Sequence, residues 1–456
     1  MHFLKSFQVL LLSFLLALPF PPQAAAETLP PVPPGPLLLT SVRPDQLQAD
    51  YWINRLPDPN RVLKTPEELK VFNQDIHAMV KDTVDVFKVG TTKSGSSIKE
   101  FVLQQFNAVR GRGLYNLQNQ AMPKTWFDTN VKPNLNLEKI PASIKIKYGV
   151  ASYPVRVRSV PHGIKLMEKP DDPEFDMLQF TRLKVWDPVA VYHTSKDGKW
   201  VLIQSPYIRG WAEASGITIF PDTAAIKKRL TPSLFVLGES VTIFKDPALT
   251  ERWMRVSMGT KLAYRRKANG VHAISMPVRG KGGQAVVKEG YISGNADVSP
   301  QPLPFTQANI IRQAFKLLGA RYGWAGQYFG RDCSGFIQDV YLSFGINMPR
   351  GSKGQTFVGT QLGHFEYKSD GEAKQAILSG AVPAVTLLRM PSHQMIYLGS
   401  ENGQHYVIHC TWAERYSMTS DAKNRINQVV VSDLELNGRS HLGSLFDRII
   451  TITELN

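Results

Sequence analysis

The stretch "GRDCSGFIQDVYLSFG", residues 330–345, places one of the two cysteines of the chain at the start of an amphipathic run. Apolar residues then recur at spacings of three and four, which predicts one buried face of a helix ending at Gly345. The unpaired N–H groups and the dipole at a helix start favour an anion, so we expect the Cys333 thiol to ionise more readily than a free one. This position is typical of a nucleophile. The predicted apolar face consists of Phe336, Ile337, Val340, Tyr341 and Phe344.

The composition is that of a folded, multidomain protein. At 456 residues the chain is too long for one ordinary core, and two to four domains are expected. Hydrophobic residues make up 43% and charged residues 20%, as in globular proteins. The net charge of +15 suits an anionic polymer, either an acidic cell envelope or nucleic acid, although a solvated basic surface is the simplest alternative. Because no lysine- and arginine-rich block is present, no nucleic-acid partner is expected.

The N-terminus resembles a secretory signal. Lys5 precedes an apolar run, residues 9–18, that is shorter than the roughly 20 residues of a membrane-spanning helix. Small residues, Ala24-Ala25-Ala26, then offer a cleavage site. Residues 1–26 are therefore predicted to be a signal peptide. We expect an exported protein, periplasmic or extracellular, with no stable membrane insertion after the signal is removed.

The rest of the chain divides by its hydrophobic period. Residues 27–143 are predicted to form a proline-rich leader and a helical region. From about residue 144 the period changes to two, and short strands with glycine-rich turns predict two small β-barrels, 144–230 and 231–300, that look like diverged copies. A proline-bearing linker then leads to a last domain, 301–456, which begins with helices and ends in strands.

One helix of the N-terminal region has a clear start signal. Thr65 and Glu68 have the spacing of a capping box, and Pro66 occupies the first helical position. The predicted buried stripe of this helix consists of Leu69, Phe72, Ile76 and Met79.

Two histidines belong to a predicted hairpin, "SHQMIYLGSENGQHYVIHC", residues 392–410. A three-residue loop, 401–403, would pair Met395 with His409 and put His393 and His409 on one face, about 7 Å apart. A loop of two or four residues would put them on opposite faces. The same alternation directs Cys410 away from His409. It therefore disfavours the disulfide that two cysteines in an exported chain would otherwise suggest.

A thiol at a helix start and two histidines on one strand pair suit thiolate catalysis. Cys333 would attack a carbonyl carbon, His393 would carry the proton to the leaving amine, and His409 would orient His393. The backbone N–H of Cys333 and the hydroxyl of Tyr322 are candidate donors to the oxyanion. Zinc binding is an alternative use of one cysteine and two histidines, but no fourth ligand accompanies them. We therefore expect neither a metal nor a cofactor.

At this point the sequence resembles a known family. "GARYGWAGQYFGRDCSGF", "MPRGSKGQ", "SHQMIYLG" and "YVIHC" are similar to motifs of the NlpC-type papain-like cysteine peptidases, over roughly residues 305–456. The barrels resemble bacterial SH3 domains, and "YWINRLPDPNRVLKTPEELKVFN" resembles an N-terminal clip segment. The predicted fold class is α+β and multidomain: a papain-like catalytic domain preceded by two small SH3-like β-barrels and a mostly helical N-terminal segment.

The resemblance implies hydrolysis of the bond between γ-D-glutamate and a diamino acid in peptidoglycan stem peptides. It assigns Cys333 as nucleophile, His393 as base and His409 as third residue, with Tyr322 beside the thiol. The predicted cleft residues include Trp324, Asp332, Ser334, Arg350 and Ser352. Arg350 lies in "PRGS", where relatives often carry Pro-Arg-Asp-Ser, so any contact of that aspartate is lost or replaced.

In relatives with SH3 domains, the first barrel closes one end of the cleft and holds the free amine of an N-terminal L-alanine. Here Asp172, Glu174 and Asp176 are the acidic candidates, with Asp176 preferred and Tyr207 as its aromatic neighbour. The expected partners are stem peptides or muropeptides, and the expected state is a monomer. The alternative function is a peptidoglycan-binding protein whose last domain is weakly active or transfers acyl groups.

Overall fold

The computed structural model describes residues 35–81 and 83–455 of the chain. The predicted signal peptide and nearly all of the proline-rich leader lie outside these residues. Within them, no helix combines the length and the apolar character that crossing a membrane requires.

Ten α-helices occur in the described part of the chain. They are α1 (Ala49–Ile53), α2 (Pro66–Met79), α3 (Gly95–Arg110), α4 (Lys124–Asn130), α5 (Thr223–Arg229), α6 (Gln307–Phe315), α7 (Cys333–Leu342), α8 (Ser352–Gln355), α9 (Gly371–Gly380) and α10 (Leu445–Arg448).

The strands fall into four antiparallel sheets. Two short strands, β1 (Thr92–Ser94) and β2 (Ser143–Lys145), pair with each other. The first seven-stranded sheet has the order β5-β4-β8-β7-β6-β3-β9. Its strands are β3 (Lys147–Ala151), β4 (Val155–Arg158), β5 (Gln179–Leu183), β6 (Pro188–Thr194), β7 (Trp200–Gln204), β8 (Arg209–Glu213) and β9 (Ile217–Phe220).

The second seven-stranded sheet follows directly, with the order β12-β11-β15-β14-β13-β10-β16. Its strands are β10 (Ser233–Val236), β11 (Ser240–Phe244), β12 (Arg252–Ser257), β13 (Lys261–Ala268), β14 (Val271–Arg279), β15 (Ala285–Ser293) and β16 (Val298–Ser299). This alternation of helices and several antiparallel sheets confirms the predicted α+β multidomain class.

The six-stranded sheet belongs to the C-terminal region and has the order β17-β22-β18-β19-β20-β21. Its central strands β19 and β20 form the predicted histidine hairpin, and α7 packs against both of them. Its strands are β17 (Thr360–His364), β18 (Thr386–Met390), β19 (His393–Glu401), β20 (Gln404–Arg415), β21 (Lys423–Asp433) and β22 (Thr451–Glu454).

The N-terminal region contributes to two different cores. Trp52 and Ile76 pack into the core of the six-stranded sheet and α7. Phe106 and Phe127, further along, share a core with one face of the first seven-stranded sheet, including Trp211. The helical segment that precedes the sheets is thus buried against the first and the last folded regions of the chain.

Helix α2 shows how far local signals reach. The capping box forms: Thr65 N–H donates to Glu68 Oε2 at 2.7 Å, and Glu68 N–H donates to Thr65 Oγ1 at 3.3 Å. Leu69, Phe72 and Ile76 are buried as predicted. Met79 is not, with 53% of its surface exposed. The buried stripe continues at Val80, four residues after Ile76, so Met79 lies beside the stripe and not in it.

Candidate active site

Helix α7 begins at Cys333, and its N-cap is Asp332. The Asp332 carboxylate accepts hydrogen bonds from the N–H of Gly335 at 2.8 Å and from the N–H of Ala325 at 2.9 Å. An aspartate at this position satisfies N–H groups that the helix start leaves unpaired. Asp332 therefore orients the segment that carries the thiol, a capping role that we did not predict from the sequence.

Arg350 holds Asp332 from the other side. Its guanidinium donates to Asp332 Oδ2 at 2.7 Å, to Ser334 Oγ at 2.9 Å and to Thr181 Oγ1 of the first seven-stranded sheet at 2.7 Å. The residue is 6% exposed. Three sites on the guanidinium thus have partners within the protein. The contacts of Arg350 and Ser334 serve the helix start, whereas the sequence prediction placed both residues in the substrate cleft.

The histidine hairpin has a different loop from the one predicted. Glu401 pairs with Gln404, so the loop is a two-residue turn, Asn402-Gly403, in which both residues have positive φ. That turn alone would put the two histidines on opposite faces. A register shift between Tyr397 and Gly399 inserts one extra residue, and beyond it Ile396 pairs with Ile408. The β-bulge restores the register that the predicted three-residue loop would have given.

The two imidazole rings are in direct contact. His393 Nε2 lies 2.7 Å from His409 Nδ1, and His409 Nε2 lies 3.1 Å from Ser432 Oγ. The Cys333 thiol points at the carbonyl of Ser392, the residue before His393, with the sulfur 3.8 Å from that oxygen. The structure thus places the thiol beside the segment of His393 and joins the two histidines directly. Ser432 extends the chain of contacts by one residue that the sequence prediction missed.

Burial keeps both reactive groups neutral in this arrangement. Burial, followed by the charge of Asp332, raises the pKa of the Cys333 thiol to about 12. Burial, followed by the positive charge of Arg448, lowers the pKa of His393 to about 3. The helix start alone led us to expect a more acidic thiol. That expectation was wrong, because desolvation disfavours a thiolate more strongly than the helix start favours it.

Cys410 has a separate environment. Both cysteines are free and buried. The Cys410 thiol donates to the carbonyl of Arg331 at 2.9 Å, on the side of the strand away from His409. No disulfide joins the two thiols, as the alternation along the strand predicted.

Aromatic side chains from two regions meet beside Tyr322. Phe175 precedes the first seven-stranded sheet's strand β5, and its ring centroid lies 6.2 Å from that of Tyr322 and 5.2 Å from that of Trp324. Trp412, on β20, lies 5.6 Å from Phe175 and 5.9 Å from Tyr322. Tyr322 is buried, and this burial raises the pKa of its phenol. Phe175 and Trp412 were not predicted. The only indication in the sequence was position: Phe175 lies within the acidic cluster, and Trp412 lies three residues after His409.

The acidic candidates of the first barrel have different partners. Asp176 forms a buried ion pair with Arg158 at 2.6 Å, and its backbone carbonyl accepts from Trp324 Nε1 at 2.9 Å. Glu174, two residues earlier, has its carboxylate 3.6 Å from Arg425, whose guanidinium stacks over Trp412.

Two further predicted cleft residues lie apart from these groups. Tyr207 is buried, and its hydroxyl donates to Asp187 within the first seven-stranded sheet. Ser352 is the half-buried first residue of α8. Neither residue contacts the thiol or the histidines in the described part of the structure.

Comparison with known proteins agrees with these features. Residues 319–433 match the NlpC/P60 family model, and residues 166–213 match the model of an SH3 domain of the SH3b1 type. A curated relative, the gamma-D-glutamyl-L-lysine dipeptidyl-peptidase of Bacillus cereus (strain ATCC 10987 / NRS 248), is 27% identical over 155 residues, 34% of this chain. The match spans 44% of that relative, less than half of its length.

A solved structure has the same overall fold. The NlpC/P60 endopeptidase from Photobacterium damselae subsp. piscicida superposes with a TM-score of 0.71 at 18% sequence identity, covering 92% of this chain and 99% of that one. The family model match confirms the resemblance seen in the motifs around Cys333, His393 and His409: residues 319–433 are similar to the NlpC/P60 family, with an SH3 domain of the SH3b1 type ahead of them.

Proposed function

We propose that the protein is an exported cysteine endopeptidase that hydrolyses the γ-D-glutamyl bond to a diamino acid in peptidoglycan stem peptides. The observation that carries the proposal is the chain of contacts at the helix start: the Cys333 thiol beside the segment of His393, with His393 bonded to His409 at 2.7 Å. The curated relative acts, by its name, on a γ-D-glutamyl-L-lysine bond. The match of residues 319–433 to the NlpC/P60 family supports the same reaction class for this chain.

The catalytic cycle follows from the neutral resting state. Cys333 transfers its proton to His393 as the sulfur attacks the carbonyl carbon of the γ-glutamyl amide, and the carbonyl oxygen becomes an oxyanion. The C–N bond then breaks, and His393 gives its proton to the leaving amine. Water hydrolyses the remaining thioester, again with His393 as base. His409 fixes the ring of His393 through Nε2, which leaves Nδ1 to serve the sulfur.

The oxyanion needs preorganised donors. The backbone N–H of Cys333 lies at the start of α7, where helix N–H groups lack intrahelical partners. The Tyr322 hydroxyl is the second candidate, since burial keeps the phenol protonated and able to donate. We propose that both contact the developing negative charge.

The free amine of the substrate fits Glu174 better than the predicted Asp176. Asp176 is already neutralised by a buried guanidinium, Arg158, at 2.6 Å. The Glu174 carboxylate has a looser partner, Arg425, at 3.6 Å, and the neighbouring Phe175 packs on Trp324. We therefore propose that Glu174 binds the amine of an N-terminal L-alanine, at the end of the cleft that the first seven-stranded sheet borders.

Defined stem peptides test the proposal. The peptide L-Ala-γ-D-Glu-diamino acid should yield L-Ala-γ-D-Glu and the free diamino acid by mass analysis. Cys333→Ser should lower turnover by roughly 10⁴-fold or more, because the hydroxyl is a far weaker nucleophile in this site. Cys410→Ser is the matched control and should keep its activity. Unchanged turnover by Cys333→Ser, or joining of two peptides instead of hydrolysis, would contradict the proposal.

A further inference from the structure

A cation of the protein itself lies against the proposed amine ligand. Arg425 is on β21, the last strand in the order of the six-stranded sheet. Its Nη2 is 3.6 Å from Glu174 Oε1, and its guanidinium stacks over the Trp412 ring, with the central carbon 4.6 Å from the ring centroid. The guanidinium of Arg425 thus contacts both a carboxylate and an aromatic face.

Glu174 and Arg425 differ in how firmly the protein holds them. Glu174 is 9% exposed, and within residues 35–81 and 83–455 its carboxylate has an ion-pair partner, Arg425, but no hydrogen bond. The Arg425 side chain is 54% exposed, so solvent screens its attraction to the carboxylate. Burying a carboxylate is costly unless it is paired and hydrogen-bonded. The buried Glu174 therefore favours a cation that makes a closer contact than Arg425 does.

The aromatic rings beside Glu174 suit an ammonium group. Phe175 follows Glu174 in the chain, and its ring centroid lies 5.6 Å from that of Trp412. Aromatic faces attract cations, and ligands with a cationic nitrogen are bound by rings in this way. The terminal ammonium of a stem peptide would meet the carboxylate and the ring that Arg425 contacts in the free protein. Because two cations at one carboxylate repel each other, the substrate and Arg425 compete for the same place.

The other cations near the start of β21 have a different partner. Lys423 lies two residues before Arg425 on the same strand, and its Nζ is 3.5 Å from Asp421 Oδ2. Arg415, which pairs with Lys423 in the register of β20 and β21, donates from Nε to the same Asp421 carboxylate. Alternation along a strand puts residues 423 and 425 on the same side. Lys423 is therefore a matched control for Arg425, with an equal charge close by that is paired elsewhere.

We propose that Arg425 is a specificity-determining residue that competes with the terminal ammonium of the substrate for Glu174. The inference rests on the proposed function and adds an internal competitor to its amine site. A peptide with a free N-terminal amine exchanges one ion pair at Glu174 for another, and the arginine side chain moves into solvent. A peptide without that charge leaves the pair of Glu174 and Arg425 intact. The arginine thereby limits how much affinity the free amine contributes.

Two measurements on matched peptides test the competition: binding of the product L-Ala-γ-D-Glu by calorimetry, and cleavage of L-Ala-γ-D-Glu-diamino acid. Arg425→Gln should lower the Kd of the product and the KM of the peptide by roughly 3- to 10-fold, with kcat unchanged. The reason is that a screened ion pair and a cation–π contact no longer oppose binding. The N-acetylated peptides should show no change, and Lys423→Gln should stay within about twofold of the wild type. Weaker or unchanged binding of the free amine by Arg425→Gln would overturn the proposal, as would an equal gain for Lys423→Gln or for the N-acetylated peptides.

A second variant separates this proposal from the proposed function. In a Glu174→Gln background, Arg425→Gln should have no further effect, because the arginine acts through that carboxylate. A gain that persists in the double variant would overturn the competition. If Glu174→Gln alone weakens binding of the free amine and Arg425→Gln does not strengthen it, only the competition fails. If Glu174→Gln leaves that binding unchanged, the amine site of the proposed function fails as well.

Discussion

The two seven-stranded sheets follow each other in the chain and look like copies in sequence, yet they meet the catalytic segment in different ways. The first presents buried side chains: Thr181 accepts from Arg350 at 2.7 Å, Gln179 donates to the carbonyl of Ala325 at 2.9 Å, and Lys184 pairs with Asp339 of α7 at 2.7 Å. Each of these contacts lies within, or directly beside, the segment that carries Cys333.

The second sheet meets the same region through other kinds of contact. The carbonyl of Glu239 accepts from Arg331 at 2.9 Å, and Asp297 forms an ion pair with Lys316 whose side chains are 47% and 37% exposed. An exposed pair contributes little to stability. Similar folds thus serve different purposes. The first sheet borders the candidate active site with buried polar side chains. The second sheet reaches the same region through a backbone carbonyl, an exposed ion pair and Met258, which follows β12 and is fully buried in the core that contains α7.

Removing the contact between Arg350 and Asp332 should have the largest effect on stability. Arg350→Met leaves the buried Asp332 carboxylate without its partner, which we expect to cost about 3–5 kcal/mol in the free energy of unfolding. Peptide cleavage should fall with it. Lys316→Met, which removes the exposed pair of the second sheet, should cost less than about 1 kcal/mol. Urea denaturation measures both, and equal losses would remove the distinction between the sheets.

Removing the proposed amine ligand should have the next largest effect. Glu174→Gln should lower kcat/KM by roughly 10- to 100-fold for a peptide with a free N-terminal amine, because a charge-assisted contact is lost. The N-acetylated peptide lacks the ammonium and should be cleaved equally by both proteins. Asp176→Asn provides the comparison, although it also unpairs Arg158. If Glu174→Gln cleaves both peptides as the wild type does, the first sheet only positions the site.

Loss of one hydrogen bond to the loop before Cys333 should have a smaller effect. Gln179→Leu leaves the carbonyl of Ala325 without its donor, at a cost of about 1–3 kcal/mol. A positioning role predicts a lower kcat with little change in KM. Arg255→Gln, on the second sheet, removes an exposed contact with Glu239 and should change neither constant. A Gln179→Leu variant with a raised KM and normal kcat would argue for substrate contact instead.

The pH dependence of stability should differ in sign between the sheets. In the first sheet's core, burial raises the pKa of Asp187 from its ordinary value of 3.8 to about 6. The stability that the protonated Asp187 carboxyl contributes to the fold is therefore fully present below pH 3.8 and is lost as the pH rises through 6. In the second sheet, the hydrogen bond from Tyr291 and the charge of Arg266 lower the pKa of Glu289. The stability that the ionised Glu289 carboxylate contributes is therefore present above its ordinary pKa of 4.5 and is lost as the pH falls below it.

Thermal unfolding at two pH values measures these two contributions. Relative to the wild type, Asp187→Asn should raise the Tm at pH 7.5 and change it less at pH 4.5. Glu289→Gln should lower the Tm slightly at pH 7.5, and the difference should shrink in acid. If both variants change the Tm in the same direction at both pH values, the two carboxyl groups do not distinguish the sheets.

Local signals were enough to predict much of the fold. The capping box of Thr65 and Glu68 forms because both partners lie within one helical turn. The α7 helix begins at Cys333 as its apolar spacing predicts, although it ends at Leu342 rather than continuing to Gly345. The hairpin was found from its alternation, but its loop was misassigned. A bulge at Leu398 depends on how β19 packs between two other strands, and nothing in the loop itself reveals it.

The sequence by itself determined which groups could do chemistry: one cysteine at a helix start, two histidines on adjacent strands, and a family motif around them. The tertiary structure decided how those groups are charged and held. Arg350 lies 169 residues from Thr181, and Asp176 lies 18 residues from the arginine that neutralises it. Burial then sets the protonation of Cys333 and His393, because desolvation depends on everything packed around a group and local sequence does not encode that environment.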